Sequence, residues 1–246
     1  VTKTSDAFAA KTLNESKYVK IDTGTHPEGT GGTYSLGVSD GYKIESITAG
    51  TNSDYSTGQV DVTSHFRFDN GQSDNYYGHS KIIKKSTSSY DLSTNRYIVV
   101  KLSFFSHNYG TNGPSFFCVD SYPIDDDGAL AAGNIRTESI PLYLSEKYGD
   151  FDLRDCVDFR PRMADTAANT GTLGSATVNP DTNGSITGGL TNPTPTTTFT
   201  TDLCYYQGKG LRLVLTEDGA FKIIESAFAD VPTLPNPEAG SMTLAT

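Results

Sequence analysis

The densest run of side chains able to hold an ion or shape a turn is Phe66-Arg67-Phe68-Asp69-Asn70-Gly71-Gln72-Ser73-Asp74-Asn75-Tyr76-Tyr77. Its Asp-Asn-Gly centre has the composition of a tight turn: Asn and Gly tolerate positive φ, and an Asp carboxylate accepts backbone N–H groups. The oxygens of Asp69, Asn70, Asp74 and Asn75 could also ligate Ca²⁺, but the spacing is irregular and no Glu stands at the EF-hand position. The capped turn is the preferred reading. Asp125-Asp126-Asp127-Gly128 forms a second acidic run, read as a solvated loop, with relief of the mutual repulsion by a cation as the competing reading.

Catalytic signatures are missing from the sequence. His26, His65, His79 and His107 form neither H-x-H nor H-E-x-x-H, so a catalytic zinc has no support. No G-x-S-x-G elbow occurs at a strand–helix junction, and Gly31-Gly32 and Gly171-Thr172-Leu173-Gly174 lack the Lys of a phosphate loop. Paired carboxylates for glycoside hydrolysis carry no information in a chain with 29 acidic residues. The reading is a protein that is not an enzyme and needs no metal or cofactor. Tyr76-Tyr77 and Tyr205-Tyr206 could stack on sugar or fill an interface; half-buried strand residues with wet hydroxyls are the preferred reading.

The elements that position these residues read as strands. Aromatic and β-branched residues supply the apolar content, with Gly, Asn, Asp, Ser and Thr between them. Strands are predicted over 18–23, 42–48, 60–68, 79–85, 96–105, 116–121, 139–144, 152–159, 202–206, 211–216 and 220–225. Alternation in Val60-Asp61-Val62-Thr63 and Phe66-Arg67-Phe68 puts Val and Phe side chains on one face. Helix signals are confined to 128–133 and 4–13, both too short to persist on propensity alone. Asp218-Gly219 between two apolar runs is a hairpin turn, and Pro232, Pro235 and Pro237 suggest an extended exit strap. Residues 163–201 are rich in Thr, Gly, Asn and Pro, and read as an arm projecting from the β body, ordered only if a neighbouring subunit holds it.

Composition narrows the function. A chain of 246 residues can bury a sizeable core. A formal charge of −10 opposes binding to phosphate backbones, so nucleic acid is not an expected partner. No run approaches the length of apolar sequence that spans a bilayer as a helix. Cys118, Cys156 and Cys204 are odd in number and lack a C-x-x-C pair, which suggests small core residues over a disulfide scaffold. Val1 in place of an initiator Met, and the unpunctuated end at Ser241-Met242-Thr243-Leu244-Ala245-Thr246, lead to the expectation of an interior piece of a longer polypeptide.

Three blocks in order resemble a family of large virion structural proteins of contractile-tailed bacteriophages, especially those of marine cyanobacteria. The first runs from Asp61-Val62-Thr63 through the Phe68–Tyr77 motif. The second runs from Ile140-Pro141 through Leu153-Arg154-Asp155-Cys156-Val157-Asp158-Phe159-Arg160-Pro161. The third takes Tyr205-Tyr206, Leu213-Val214-Leu215-Thr216, Asp218-Gly219-Ala220-Phe221 and Met242-Thr243-Leu244. The chain departs from the pattern at Gln207-Gly208-Lys209-Gly210-Leu211, where the family has a Pro-Arg-Ile-Asp-like entry. Residues 1–57 carry little of the likeness. The resemblance implies a non-catalytic role in the tail, baseplate or fibre attachment, in a particle assembled in the host cytoplasm. It implies as partners other tail proteins and copies of the chain itself. A carbohydrate-binding adhesin that touches a host-surface glycan is the alternative.

The expected architecture is mainly β and sandwich-like. It comprises an N-terminal β segment (1–57), a β core (58–162), the arm (163–201), and a closing hairpin with a C-terminal strap (202–246). The 202–226 hairpin is expected to close the sheet formed by the strands before the arm.

Overall fold

The computed structural model describes residues 8–26, 28, 31–107, 116–168, 170–187, 207–229 and 231–246, together with the backbone of 2–4 and 198–200. The protein is mainly β, with several antiparallel sheets and three short 3₁₀ turns among the described residues. It divides into two compact units, residues 1–204 and 205–246.

The first unit begins with β1 (Thr2–Thr4) and continues into a sandwich. Its strands are β2 (Lys11–Asp22), β3 (Thr33–Ser39), β4 (Gly41–Gly50), β5 (Val60–Asp61), β6 (Phe66–Asp69), β7 (His79–Lys84) and β8 (Tyr97–His107). One sheet has the order β2-β8-β4-β5 and the other β3-β7-β6, and every pairing is antiparallel. Side chains alternate across a strand, so Ile98, Val100, Leu102 and Phe104 of β8 point one way. They meet Val19 and Ile21 of β2, Ile47 and Ala49 of β4, and from the second sheet Tyr34, Leu36, Val38, Phe66 and Ile82 in one buried cluster. Each of the larger aliphatic side chains contributes roughly 1.5–3 kcal/mol by leaving water.

Phe105, on the opposite face of β8, enters a second cluster with Leu13, Val119, Tyr122, Ile135, Ile140 and Leu153. Residues 116–153 cover that face. They run through 3₁₀ turns at Val119–Ser121 and Thr137–Ser139 into a hairpin of β9 (Leu142–Ser145) and β10 (Gly149–Asp152). The predicted strands at 116–121 and 152–159 reduce to one antiparallel bridge, Phe117 with Asp158. The predicted 60–68 strand is interrupted by the turn at Thr63–His65, which leaves Val60 exposed while Val62 is buried. Residues 1–57 contribute three sandwich strands, so the core does not begin at residue 58. The helix considered for 4–13 is replaced, from Lys11, by β2, and 128–133 contains only turns.

The described part of the expected arm does not project. β11 (Arg162–Met163) pairs with β12 (Ile186–Thr187), and β13 (Thr198–Thr200) pairs in parallel with β1. Residues 177–179 lie along the free edge of β2: the Lys20 N–H donates to the Thr177 carbonyl (2.9 Å) and the Asn179 N–H to the Lys20 carbonyl (2.9 Å). The Asp22 N–H donates to the Asn179 side chain at 2.8 Å. A strand edge offers unpaired backbone groups, and this segment takes them up. Its order comes from hydrogen bonds, which is why a reading based on apolar content missed it. Residues 188–197 of the expected arm, and the predicted 202–206 strand with Tyr205-Tyr206 and Cys204, lie outside the described residues.

The second unit holds β14 (Leu211–Leu215), β15 (Phe221–Glu225) and β16 (Met242–Ala245) in the order β15-β14-β16. The turn is where the sequence places it: Gly219 has φ +81°, its N–H donates to the Thr216 carbonyl (2.9 Å), and the Thr216 hydroxyl bonds Asp218. Among the described residues the hairpin pairs with no earlier strand. Its inner strand takes β16 as second neighbour, so the chain end forms a strand, and only the proline-bearing stretch before it stays irregular.

Gly37 in β3 is a second contact between the sandwich and the folded-back segment. Its φ is +64°, its carbonyl accepts the N–H groups of Thr166 and Ala167 (2.8 and 3.0 Å), and a Cβ there would lie 2.4 Å from Pro180. Gly37→Ala therefore combines backbone strain with a clash. It should lower stability by about 2–4 kcal/mol in urea denaturation; an unchanged midpoint would show that residues 163–180 are not seated on β3.

Candidate functional site

The two sequence blocks read as turn and structural motif, Asp69–Tyr77 and Asp158–Pro161, come together in the structure. After β6 the chain makes the expected capped turn: Asp69 accepts the Gly71 N–H (2.9 Å) and Asn70 the Gln72 N–H (3.0 Å). Gly71 has φ +78°, and a Cβ there would lie 2.3 Å from the Gly78 carbonyl oxygen. The turn delivers Tyr77, whose N–H donates to the Pro161 carbonyl and whose carbonyl accepts the Met163 N–H, both at 2.8 Å. Phe159 packs near Phe116, with ring centroids 6.0 Å apart.

Where these segments meet β2 and β8, a knot of charged groups is buried. The Lys11 ammonium sits 2.9 Å from Asp40, and neither side chain has appreciable exposure. The rings of Tyr122, Phe117 and Tyr77 lie 4.5, 4.7 and 4.8 Å from that nitrogen, so the cation is held by π faces as well as by a carboxylate. The His107 Nε2 lies 2.6 Å from the same carboxylate. The other Asp40 oxygen accepts Gln72 Nε2 at 3.2 Å. Gln72 in turn accepts from Arg160 Nη2 (3.1 Å), and Arg160 pairs with Asp158 (2.8 Å) and donates to the Ser73 carbonyl (3.0 Å). The Tyr77 hydroxyl donates to Asp158. Beside this group Arg162 is clamped by Asp165 at 2.5 Å to each oxygen.

The titration behaviour follows from burial and neighbours. Burial raises the Asp40 carboxyl, but the Lys11 charge and the His107 bond more than offset this and hold it far below the usual range. Asp158 behaves the same way: burial pushes it up, and Arg160 pulls it down further. Burial lowers His107 to about 4 against the contrary pull of Asp40, so the imidazole is neutral near pH 7. With His107 neutral, three cations (Lys11, Arg160, Arg162) face three carboxylates (Asp40, Asp158, Asp165).

Each of these acids is engaged by a cation, and among the described residues no group of three His, Cys, Asp or Glu is placed to hold a metal ion. In the acidic run Asp125 accepts the Ala131 N–H (3.0 Å) and Asp126 the Thr137 N–H and hydroxyl (2.9 and 2.6 Å), while Asp127 is exposed. Tyr77 is fully buried, so it is neither a sugar-stacking residue nor a half-buried one with a wet hydroxyl. Cys118 is buried as expected, whereas Cys156 is only half-buried.

Sequence reasoning missed Lys11, Asp40, His107 and Tyr122, which lie in four separate segments. It also missed two open features. One is a cleft of about 400 Å³ lined by Asp74, Asn75, Tyr143, Tyr148, Phe151 and Arg160, among others. The Arg160 guanidinium is sandwiched there between Tyr77 and Tyr143, 4.4 and 4.3 Å from the ring centroids. The second is an apolar face on the C-terminal unit. Leu211, Leu213 and Leu215 share a side of β14 with their partners Ile223 and Phe221, and Met242 pairs with Leu215. Phe221, Met242 and Ile223 are 73, 65 and 59% exposed, while Val214 on the other side is fully buried.

Comparison with protein-family models, curated proteins and solved structures finds no match to this chain.

Two outcomes check the knot. Lys11→Met leaves Asp40 without its cation and should cost about 3–5 kcal/mol in denaturant unfolding; wild-type stability in that variant would show that the carboxylate needs no counter-charge. His107 supplies the second. Its folded-state value is depressed, so the unfolded chain binds the proton first, and stability falls as pH drops from about 6.5 to about 4. Across that window the loss should be roughly 3 kcal/mol. His107→Gln should flatten the slope of stability against pH there, measured by urea titration; an unaltered slope would place the titrating group elsewhere.

Proposed function

We propose that this chain is a non-catalytic structural component of a tailed-phage particle, in the tail, baseplate or fibre attachment, acting through interfaces with copies of itself and with other tail proteins. The observation that carries the reading is the apolar sheet face of the C-terminal unit. Three short strands cannot cover their own apolar side, and Leu211, Phe221, Ile223 and Met242 stand open on it. Those four side chains expose on the order of 500 Å², a sizeable part of the ~800 Å² each partner contributes to a standard interface and near the upper range of patches on monomers.

A second copy of the chain is the occupant we assign to it. The face offers no charged group to specify an unlike partner except Glu225, which is already paired with Lys209. An apolar patch is complementary to itself, whereas the acidic remainder of the surface opposes contact elsewhere. The ordered sequence blocks add support for the particle: two of the three that resemble virion structural proteins meet at the buried knot, and the described part of the third lies in the C-terminal sheet.

The test is mass spectrometry of purified phage particles that carry the gene: peptides retained through stringent washing support the reading, and absence from particles overturns it. In solution, light scattering behind size exclusion should find an oligomer that Phe221→Asp with Ile223→Asp converts to monomer. A wild-type monomer at micromolar concentration would remove the self-association.

A further inference from the structure

We propose that the cleft beside the β9–β10 hairpin is a binding site for a neutral oligosaccharide built of pyranose rings. Tyr143 and Phe151 are direct cross-strand partners. Their rings lie 19° from parallel with centroids 6.2 Å apart, so together they form one broad aromatic platform. Tyr148, in the turn of the same hairpin, is 62% exposed and lines the cleft with them. Each tyrosine is held from one side by a cation, Tyr143 by Arg160 at 4.3 Å and Tyr148 by Lys147 at 4.7 Å.

The polar groups fit the same ligand. Asp74 and Asn75, at the tip of the motif turn, are exposed and line the cleft, with a carboxylate and a carboxamide of the kind that pair with sugar hydroxyls. The Tyr143 hydroxyl donates to Asp74 at 2.5 Å, which ties platform to acceptor. A pyranose presents apolar C–H faces to rings and hydroxyls to its rim, and a cleft of about 400 Å³ is within the range of small-molecule sites. Anionic ligands fit worse. The guanidinium in the cleft is committed to Asp158, and a phosphate or carboxylate would meet Asp74 on a chain whose formal charge is −10. That excludes stacked nucleotides, whose bases would otherwise suit the rings.

The full chain is applied to an array of neutral and acidic oligosaccharides, and the best-bound oligosaccharide is carried into saturation-transfer NMR and calorimetry. Tyr148→Ala and Phe151→Ala should each weaken binding about three- to tenfold, the worth of one aromatic contact. Leu144→Ala, on the other side of the same hairpin, should leave affinity unchanged. Melting temperature is read on every variant, and the highly exposed Tyr148 decides the matter where Phe151→Ala loosens the fold. An empty array, binding confined to acidic glycans, or equal affinity in Tyr148→Ala overturns the site. Particle membership is measured separately, so a chain found in particles that binds no sugar removes only this inference.

Discussion

The contact on which the first unit depends is a buried ammonium. Lys11 reaches Asp40 inside a ring of aromatic side chains, at the point where six chain segments converge. An unpaired charge in such a place would cost several kcal/mol, so the segments are bound to arrive together. Asp40 sits between β3 and β4 with φ +54°, in the left-handed region that Asp adopts more readily than most non-glycine residues. His107 closes β8, Tyr77 ends the motif turn, and Asp158 and Arg160 come from the far end of the chain region that covers the second cluster. Apolar burial makes the sandwich stable; the knot decides which loops lie against it.

That division explains which parts of the structure were legible in the sequence. β8, β7 and the β14–β15 hairpin are apolar runs bounded by turn residues, and periodicity finds them. The capped turn at Asp69–Gly71 and the positive-φ Gly219 follow from local chemistry alone. β3 was not seen, because Thr33–Ser39 has few large side chains and is interrupted by a left-handed glycine. Its burial comes from being sandwiched, which is a tertiary fact. Asp158-Phe159-Arg160-Pro161 was singled out as a block, yet nothing local says that Arg160 would stack on Tyr77 and Tyr143 or reach Gln72. A knot assembled from single residues in separate segments has no period and no motif. Lys11 and His107 look like any strand-end polar residues until the topology pairs them.

The segment after Pro161 shows the limit of composition as a guide to order. Thr, Asn and Gly there bury little, and the entropy argument points to a free arm. The free edge of β2 and the carbonyl of Gly37 supply what the segment lacks, a set of backbone partners already fixed in place. Ordering a polar segment against a rigid edge costs less than ordering it in isolation, because only one side of each hydrogen bond must be immobilised. The C-terminal unit is the opposite case. Its hairpin was readable, though β16 was read as part of an extended strap, and its apolar residues are plentiful; that plenty is left uncovered, since three strands and an irregular stretch enclose only one side.

The two units therefore use the same residue types toward different ends. In the first, aromatic rings surround a charge, fix the motif turn and, at the β9–β10 hairpin, emerge as the wall of a cleft. In the second they stand open on a sheet face. The first unit buries the charged groups of the knot, and the second leaves an apolar sheet face open. In the knot, Asp40 and Asp158 are each engaged by a cation. Arg160 links the sealed interior to the open cleft, since the guanidinium that neutralises Asp158 also supports the Tyr143 ring. Loss of the knot would thus reach the surface through the Arg160–Asp158 pair, both members of which line the cleft.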